Sequence, residues 1–219
     1  MKIKICGLTS LDDALAAAEA GADMLGFNFH AGSPRRISPA RCAEIVEGLE
    51  AHNVPVQTVG VFVNSSPASV AGTLEMCGLH LAQLHGDEPP SDFELLGERA
   101  FKAVRPRSLA EAKGLARQYA PLGTHEPALL IDARVGGKYG GTGIRVDWDI
   151  AAQLARELPL LLAGGLSPDN VRQAIRSVFP WGVDVASGVE NVPGLKDRHR
   201  MAAFVQAVRK FTRETEDAE

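Results

Sequence analysis

The sequence predicts a single-domain α/β protein, a (β/α)8 or TIM barrel. Three observations carry that prediction. Short runs rich in Val, Ile, Leu and Phe recur eight times along 219 residues. Each is followed by a segment with helical periodicity or helix-forming composition. Polar residues and glycines gather just after the strands, where a parallel barrel keeps its chemistry. Regular βα alternation implies parallel strands with right-handed crossovers. Eight strands favour closure, where six would favour an open sheet.

The first strand is Lys2–Cys6. A helix over Leu11–Ala20 follows, with Ser10 as N-cap and Gly21 as its stop. Strand two is Met24–Phe29, and its helix, Pro39–Leu49, starts after Ser38 with Pro at the first helical position. Strand three is Val56–Val63, and Ser66 with Pro67–Met76 repeats that device. Strand four is Leu81–Leu84, followed by the weakest helix, Ser91–Glu98. Strands five and six are Phe101–Val104 and Ala128–Asp132, with helices over Leu109–Tyr119 and Val146–Leu158. Strand seven is Leu160–Ala163, and the device recurs at Ser167 with Pro168–Val178. Strand eight is Val183–Ser187, and Met201–Phe211 closes the barrel domain, residues 1–211. Residues 212–219 are acidic and polar and are expected to fray.

Composition excludes several classes. The net charge is −4 with no basic block, so nucleic acid is not an expected partner. The longest apolar runs, such as Pro159–Ala163, are strand-sized, far short of the roughly 20 residues of a membrane helix. No signal-peptide pattern precedes the first strand, and Cys6, Cys42 and Cys77 are odd in number and scattered. Both features predict a cytoplasmic protein without disulfides, and the start at Met1 with an acidic end predicts a stand-alone chain. No CxxC pair and no histidine cluster calls for a metal.

The strand ends hold the candidate chemistry. Cys6 ends strand one in a thiol, and Asp132 ends strand six in a carboxyl. Facing one pocket, such a pair can shuttle protons. A cysteine is more often a packing residue, and an aspartate here could equally cap a helix or form a loop salt bridge. Gly164-Gly165 and Ser187-Gly188 follow strands seven and eight, where barrels bind phosphate on backbone N–H groups. Either pair could instead be a tight turn needing positive φ. His85 could face the pocket or sit in a plain turn. Arg35 or Arg36, facing inward, would offer a fork to a carboxylate. The loop Gly136–Gly143 carries five glycines and reads as a lid over Asp132.

Eight blocks in one order then make the chain familiar. They are Lys4–Leu8; Gly26-Phe27 with Ser33–Ser38; Val59–Asn64; Gln83–Asp87; Leu130–Asp132; Tyr139–Gly143 with Asp147-Trp148; Ala163–Val171; and Val183–Glu190 with Gly194 and Lys196-Asp197. Together they resemble the phosphoribosylanthranilate isomerase family of tryptophan biosynthesis across nearly the whole chain. The resemblance implies a cofactor-free Amadori rearrangement of a phosphosugar, with Cys6 as general base and Asp132 as general acid. It implies that Arg35, rather than Arg36, holds the anthranilate carboxylate. The remaining substrate contacts would come from His85, Gly164, Gly165, Asp184, Ser187 and Gly188. The family includes monomers and homodimers. Two departures stand out: Gly143–Val146 lacks the family's usual Phe beside Asp147, and Ala163 replaces a frequent serine. A histidine-pathway isomerase is an alternative, but that chemistry uses an aspartate where this chain has Cys6. A non-catalytic phosphate-binding barrel would lack one of the acid–base pair.

Strand parity adds one expectation. Lys4 shares a face with Cys6, and Asp184 points opposite to Val183 and Val185. Strands one and eight meet at closure, so Lys4 and Asp184 should pair inside the barrel, since a buried charge is costly alone.

Overall fold

A computed structural model describes residues 1–120, 126–132 and 143–216. Eight parallel strands close into a barrel in sequence order. They are β1 (Lys2–Cys6), β2 (Met24–Asn28), β3 (Gln57–Phe62), β4 (Leu81–Leu84), β5 (Ala100–Val104), β6 (Leu129–Asp132), β7 (Leu160–Ala163) and β8 (Gly182–Val185). The helices between them are α1 (Leu11–Glu19), α2 (Pro39–Ala51), α3 (Pro67–Cys77), α4 (Phe93–Leu96), α5 (Leu109–Tyr119), α6 (Gly143–Ala155), α7 (Val171–Val178) and α8 (Arg198–Glu216). The single turn of α4 lies between two 3₁₀ turns, which matches the weak helical signal there. No helix of the described residues is long and apolar enough to cross a membrane.

The caps follow the sequence at three of four serines named above or beside them. Ser10, Ser38 and Ser66 each accept a hydrogen bond from the N–H three residues on. Ser167 does not cap α7. Its N–H instead donates to Asn170 Oδ1, and Asn170 Nδ2 donates to the Gly165 carbonyl. Asn170 thus ties up residues 167–170 as a turn, and the helix begins at Val171 rather than Pro168. At the other end α8 runs on through Glu216, so Thr212–Glu216, expected to fray, are helical. A short antiparallel hairpin, β9 (Glu190–Val192) with β10 (Leu195–Lys196), follows β8 and had no signal in the sequence.

Strand alternation divides the core in two. Met24, Val59, Leu81, Phe101, Ala103, Leu130, Leu161 and Ala163 pack inside the barrel. Ile3, Ile5, Leu25, Leu129, Ile131, Val183 and Val185 face the helices in the larger outer cluster. Because Val183 and Val185 face outward, Asp184 must face the axis. It does, in register with Lys4. Above the inner apolar layers, Lys4, Gln83 and Asp184 form a buried polar belt. The residues at the C-terminal ends of the strands lie above that belt.

Candidate active site

The cavity at the C-terminal mouth holds about 410 Å³. Cys6, Arg35, His85, Asp132, Gly164, Gly165, Asp184 and Ser187 all line it. Gly188 does not. A Cβ there would collide with the Leu166 carbonyl, so the eighth loop packs backbone to backbone against the seventh. Gly164 and Gly165 both have positive φ, 102° and 67°, a conformation that costs glycine little. The turn geometry and a phosphate cradle are compatible, since the same glycines line the cavity.

Cys6 comes from the last residue of β1 and is 8% exposed. Burial pushes its thiol pKa up, Asp184 adds to that, and the Lys4 and Lys196 ammonium groups oppose it; the net direction is upward. Lys4 Nζ lies 3.0 Å from Asp184 Oδ1 and donates to Gln83 Oε1 at 3.0 Å. Lys196 Nζ, from β10, donates to the Cys6 carbonyl at 2.7 Å and to Glu190 Oε1 at 2.7 Å.

Asp132 ends β6 across the mouth. Arg105 Nε donates to its Oδ2 at 2.9 Å, and His85 Nε2 lies 3.7 Å from the same oxygen. Burial raises the Asp132 pKa, but His85 and Arg105 outweigh it and hold the carboxyl below its usual range. These neighbours favour a thiol at Cys6 and a carboxylate at Asp132.

Arg35 faces the cavity, and Arg36 is exposed. The Arg35 fork is already engaged: Nε and Nη2 donate to the two oxygens of Glu190 at 2.8 and 2.7 Å. That bidentate bond is the main reason its pKa is raised. Sequence reading did not find Glu190 as a partner, because the two residues are 155 positions apart and meet only through the hairpin. Arg105 and Gln83 were also missed as site residues. Parity could have found both, since each is an inward position of its strand next to or below the rim. The glycine-rich loop Gly136–Gly143, expected to be a lid, lies outside the described residues except for Gly143, which begins α6.

Residues 3–207 match the family model of N-(5′-phosphoribosyl)anthranilate (PRA) isomerase. The chain belongs to this family. It is an isomerase of tryptophan biosynthesis. The N-(5′-phosphoribosyl)anthranilate isomerase of Geobacter sulfurreducens is 48% identical over 206 residues, covering 94% of this chain and 97% of that one. Among solved structures, phosphoribosyl anthranilate isomerase from Thermotoga maritima aligns with a TM-score of 0.84 at 36% identity, covering 96% of this chain and 99% of that one. A second, in complex with reduced 1-(o-carboxyphenylamino)-1-deoxyribulose 5-phosphate, aligns with a TM-score of 0.81 at 34% identity and the same coverage. A third structure, of monomers generated from the dimeric Thermotoga maritima enzyme, aligns with a TM-score of 0.80 at 34% identity, covering 95% of this chain and 98% of that one.

Proposed function

We propose that this isomerase converts N-(5-phosphoribosyl)anthranilate to 1-(2-carboxyphenylamino)-1-deoxyribulose 5-phosphate, with Asp132 as general acid and Cys6 as general base. One observation carries the reading: a thiol and a carboxyl, from strands on different sides of the barrel, line one cavity of about 410 Å³. An acid and a base on opposite walls can reach the two faces of one sugar.

The steps balance as proton movements. Asp132, protonated, gives its proton to the ring oxygen as the C1′–O bond breaks. The anthranilate nitrogen lone pair closes the positive charge into a Schiff-base cation. That cation acidifies the C2′ proton, which the Cys6 thiolate removes. The enolamine takes a proton at C1′ and loses one from the C2′ hydroxyl, giving the ketone. No external oxidant or reductant enters, because the C2′ carbon is oxidised as C1′ is reduced.

The same reading gives the remaining residues their places. The Gly164-Gly165 and Ser187-Gly188 backbone would cradle the phosphate. Arg35 would meet the anthranilate carboxylate, sharing its guanidinium with Glu190. His85 would stand beside the acid, and Asp184 would face the sugar with one oxygen held by Lys4. The substrate's phosphate and carboxylate enter the same cavity as Asp132, and negative charge there favours the protonated carboxyl that the chemistry requires.

The test is direct. Purified protein given N-(5-phosphoribosyl)anthranilate should form the ribulose phosphate product with no added cofactor. No conversion at micromolar enzyme would overturn the reading.

A further inference from the structure

A chain of polar side chains crosses the barrel from Lys4, two residues before Cys6 on β1, to Asp132. Lys4 Nζ donates to Gln83 Oε1 at 3.0 Å, and Gln83 Nε2 lies 3.0 Å from His85 Nδ1. His85 Nε2 in turn faces Asp132 Oδ2 at 3.7 Å. Lys4 is fully buried, Gln83 is 1% exposed, and the ammonium is pinned on its other side by Asp184.

The polarity of this chain is not free. An ammonium has only protons to give, so the amide atom that faces Lys4 must be the oxygen. The Gln83 NH2 then faces His85 and has only protons to give there. A neutral imidazole carries one N–H. With Nδ1 accepting from Gln83, that proton belongs on Nε2. Arg105 opposes this arrangement, because its Nη2 lies 2.8 Å from Nε2 and is also a donor. Two donors cannot share that gap, so one end must yield. The Arg105 side chain is 60% exposed, whereas Lys4 is sealed in the barrel. Arg105 is the end that moves. Its guanidinium is rigid and planar, so it swings as a unit on that exposed stem and gives up its place beside His85 Nε2.

We propose that Gln83 is a positioning residue for the acid: it carries the donor polarity of Lys4 across the barrel, fixes His85 as the Nε2–H tautomer, and so aims an N–H at Asp132 Oδ2 from 3.7 Å, a gap that closes to a hydrogen bond once Arg105 has swung aside. The consequence for chemistry rests on the reading of Asp132 as the acid. Among the described residues, the contacts of His85 and Arg105 both fall on Oδ2. Oδ1 is left to carry the proton toward the sugar. When that proton leaves, a preset donor meets the new carboxylate without any rearrangement.

Nitrogen-15 spectra of the histidine side chains test the proposal, since imidazole nitrogen shifts separate the two neutral tautomers from each other and from imidazolium. His85 is assigned by its loss in His85→Asn. In the wild-type protein at pH 8, His85 should show Nε2 protonated and Nδ1 bare. Gln83→Glu then replaces a donor by an acceptor of the same shape. It should move the His85 proton to Nδ1 and lower kcat about 10- to 100-fold, the worth of one hydrogen bond to a charged group. A wild-type His85 with a protonated Nδ1 overturns the proposal without recourse to any variant. So does a Gln83→Glu protein whose His85 keeps the Nε2–H form. These tautomer readouts do not depend on the acid assignment. If Asp132→Asn retains turnover, the acid reading fails while the tautomer result still stands or falls by itself.

Discussion

Lys4 Nζ sits 3.0 Å from Asp184 Oδ1 at the seam where β1 meets β8 and the barrel closes. The ammonium has no exposure at all, and the carboxylate side chain is 10% exposed. Burial lowers the Lys4 pKa, but Asp184 and Cys6 more than offset it, so the net direction is upward. A raised lysine contributes stability that is present below its ordinary value, about 10.4. That contribution is lost only as pH rises through the higher folded value.

Lys4→Met strands the Asp184 carboxylate beneath the cavity. It should cost about 3–5 kcal/mol, as breaking a buried pair does, measured by urea unfolding at pH 7. Lys2→Met is the control. Its pair with Asp23 has a 52% exposed lysine side chain, and such a pair is worth about 0–1 kcal/mol. Equal losses in the two variants would show that the interior pair carries no special weight.

A second buried pair sits outside the sheet. Glu88 accepts from Lys102 Nζ and from the N–H groups of Asn64 and Gly86. It ties together the loops after β3 and β4, and so fixes the turn that presents His85. Burial raises the Glu88 pKa, but Lys102 and the backbone N–H groups of Asn64 and of Glu88 itself win and hold it low. A depressed carboxyl contributes stability present above its ordinary value, about 4.3, and lost as pH falls through the lower folded value. Glu88→Gln should therefore cost about 3–5 kcal/mol at pH 7. The gap to wild type should narrow below about pH 4. A gap that stays constant into acid would contradict the ionised pair.

If Cys6 and Asp132 are base and acid as proposed, their protonation states set the pH dependence of turnover. Cys6 is held above the ordinary thiol value and Asp132 below the ordinary carboxyl value. The resting pair, thiol and carboxylate, holds as many protons as the productive pair, thiolate and acid. Between the two ionisations the productive fraction therefore does not change with pH. The substrate phosphate's second ionisation falls near about pH 6, so the informative interval lies above it. From about pH 7 to about 8.5, the ordinary thiol value, kcat/KM should be flat. A tenfold rise per pH unit across that interval would mean a free thiolate limits the rate, and would contradict the paired account.

Much of this was legible in the residues. Apolar runs and the residues after them gave the eight strands, because a buried parallel strand has little choice but Val, Ile and Leu. Parity alone placed Lys4 against Asp184, since side chains alternate faces and closure dictates the neighbour. The failures have physical causes. Ser167-Pro168 looks like a helix start, but Asn170 binds back to Gly165 and Ser167 and delays the helix. The Glu190–Val192 hairpin is too short for periodicity to register. The Arg35–Glu190 and Glu88–Lys102 bonds join distant segments, and no local spacing announces them. An acid role asks Asp132 to hold a proton, yet His85 and Arg105 favour its carboxylate, and only the folded rim reveals that both stand beside it.

The central claim is that Cys6 and Asp132 move the protons. The measurement that meets it most directly is turnover of N-(5-phosphoribosyl)anthranilate by Cys6→Ser and Asp132→Asn, each paired with the affinity of the reduced product analogue. Each variant should lose about 10²- to 10⁴-fold in kcat while binding the analogue within a fewfold of wild type. Cys42→Ser and Cys77→Ser, whose cysteines are buried on α2 and α3, should keep wild-type kcat. Near-wild-type turnover in either the Cys6 or the Asp132 variant would contradict the account, as would a collapse of analogue affinity that accounts for the whole loss.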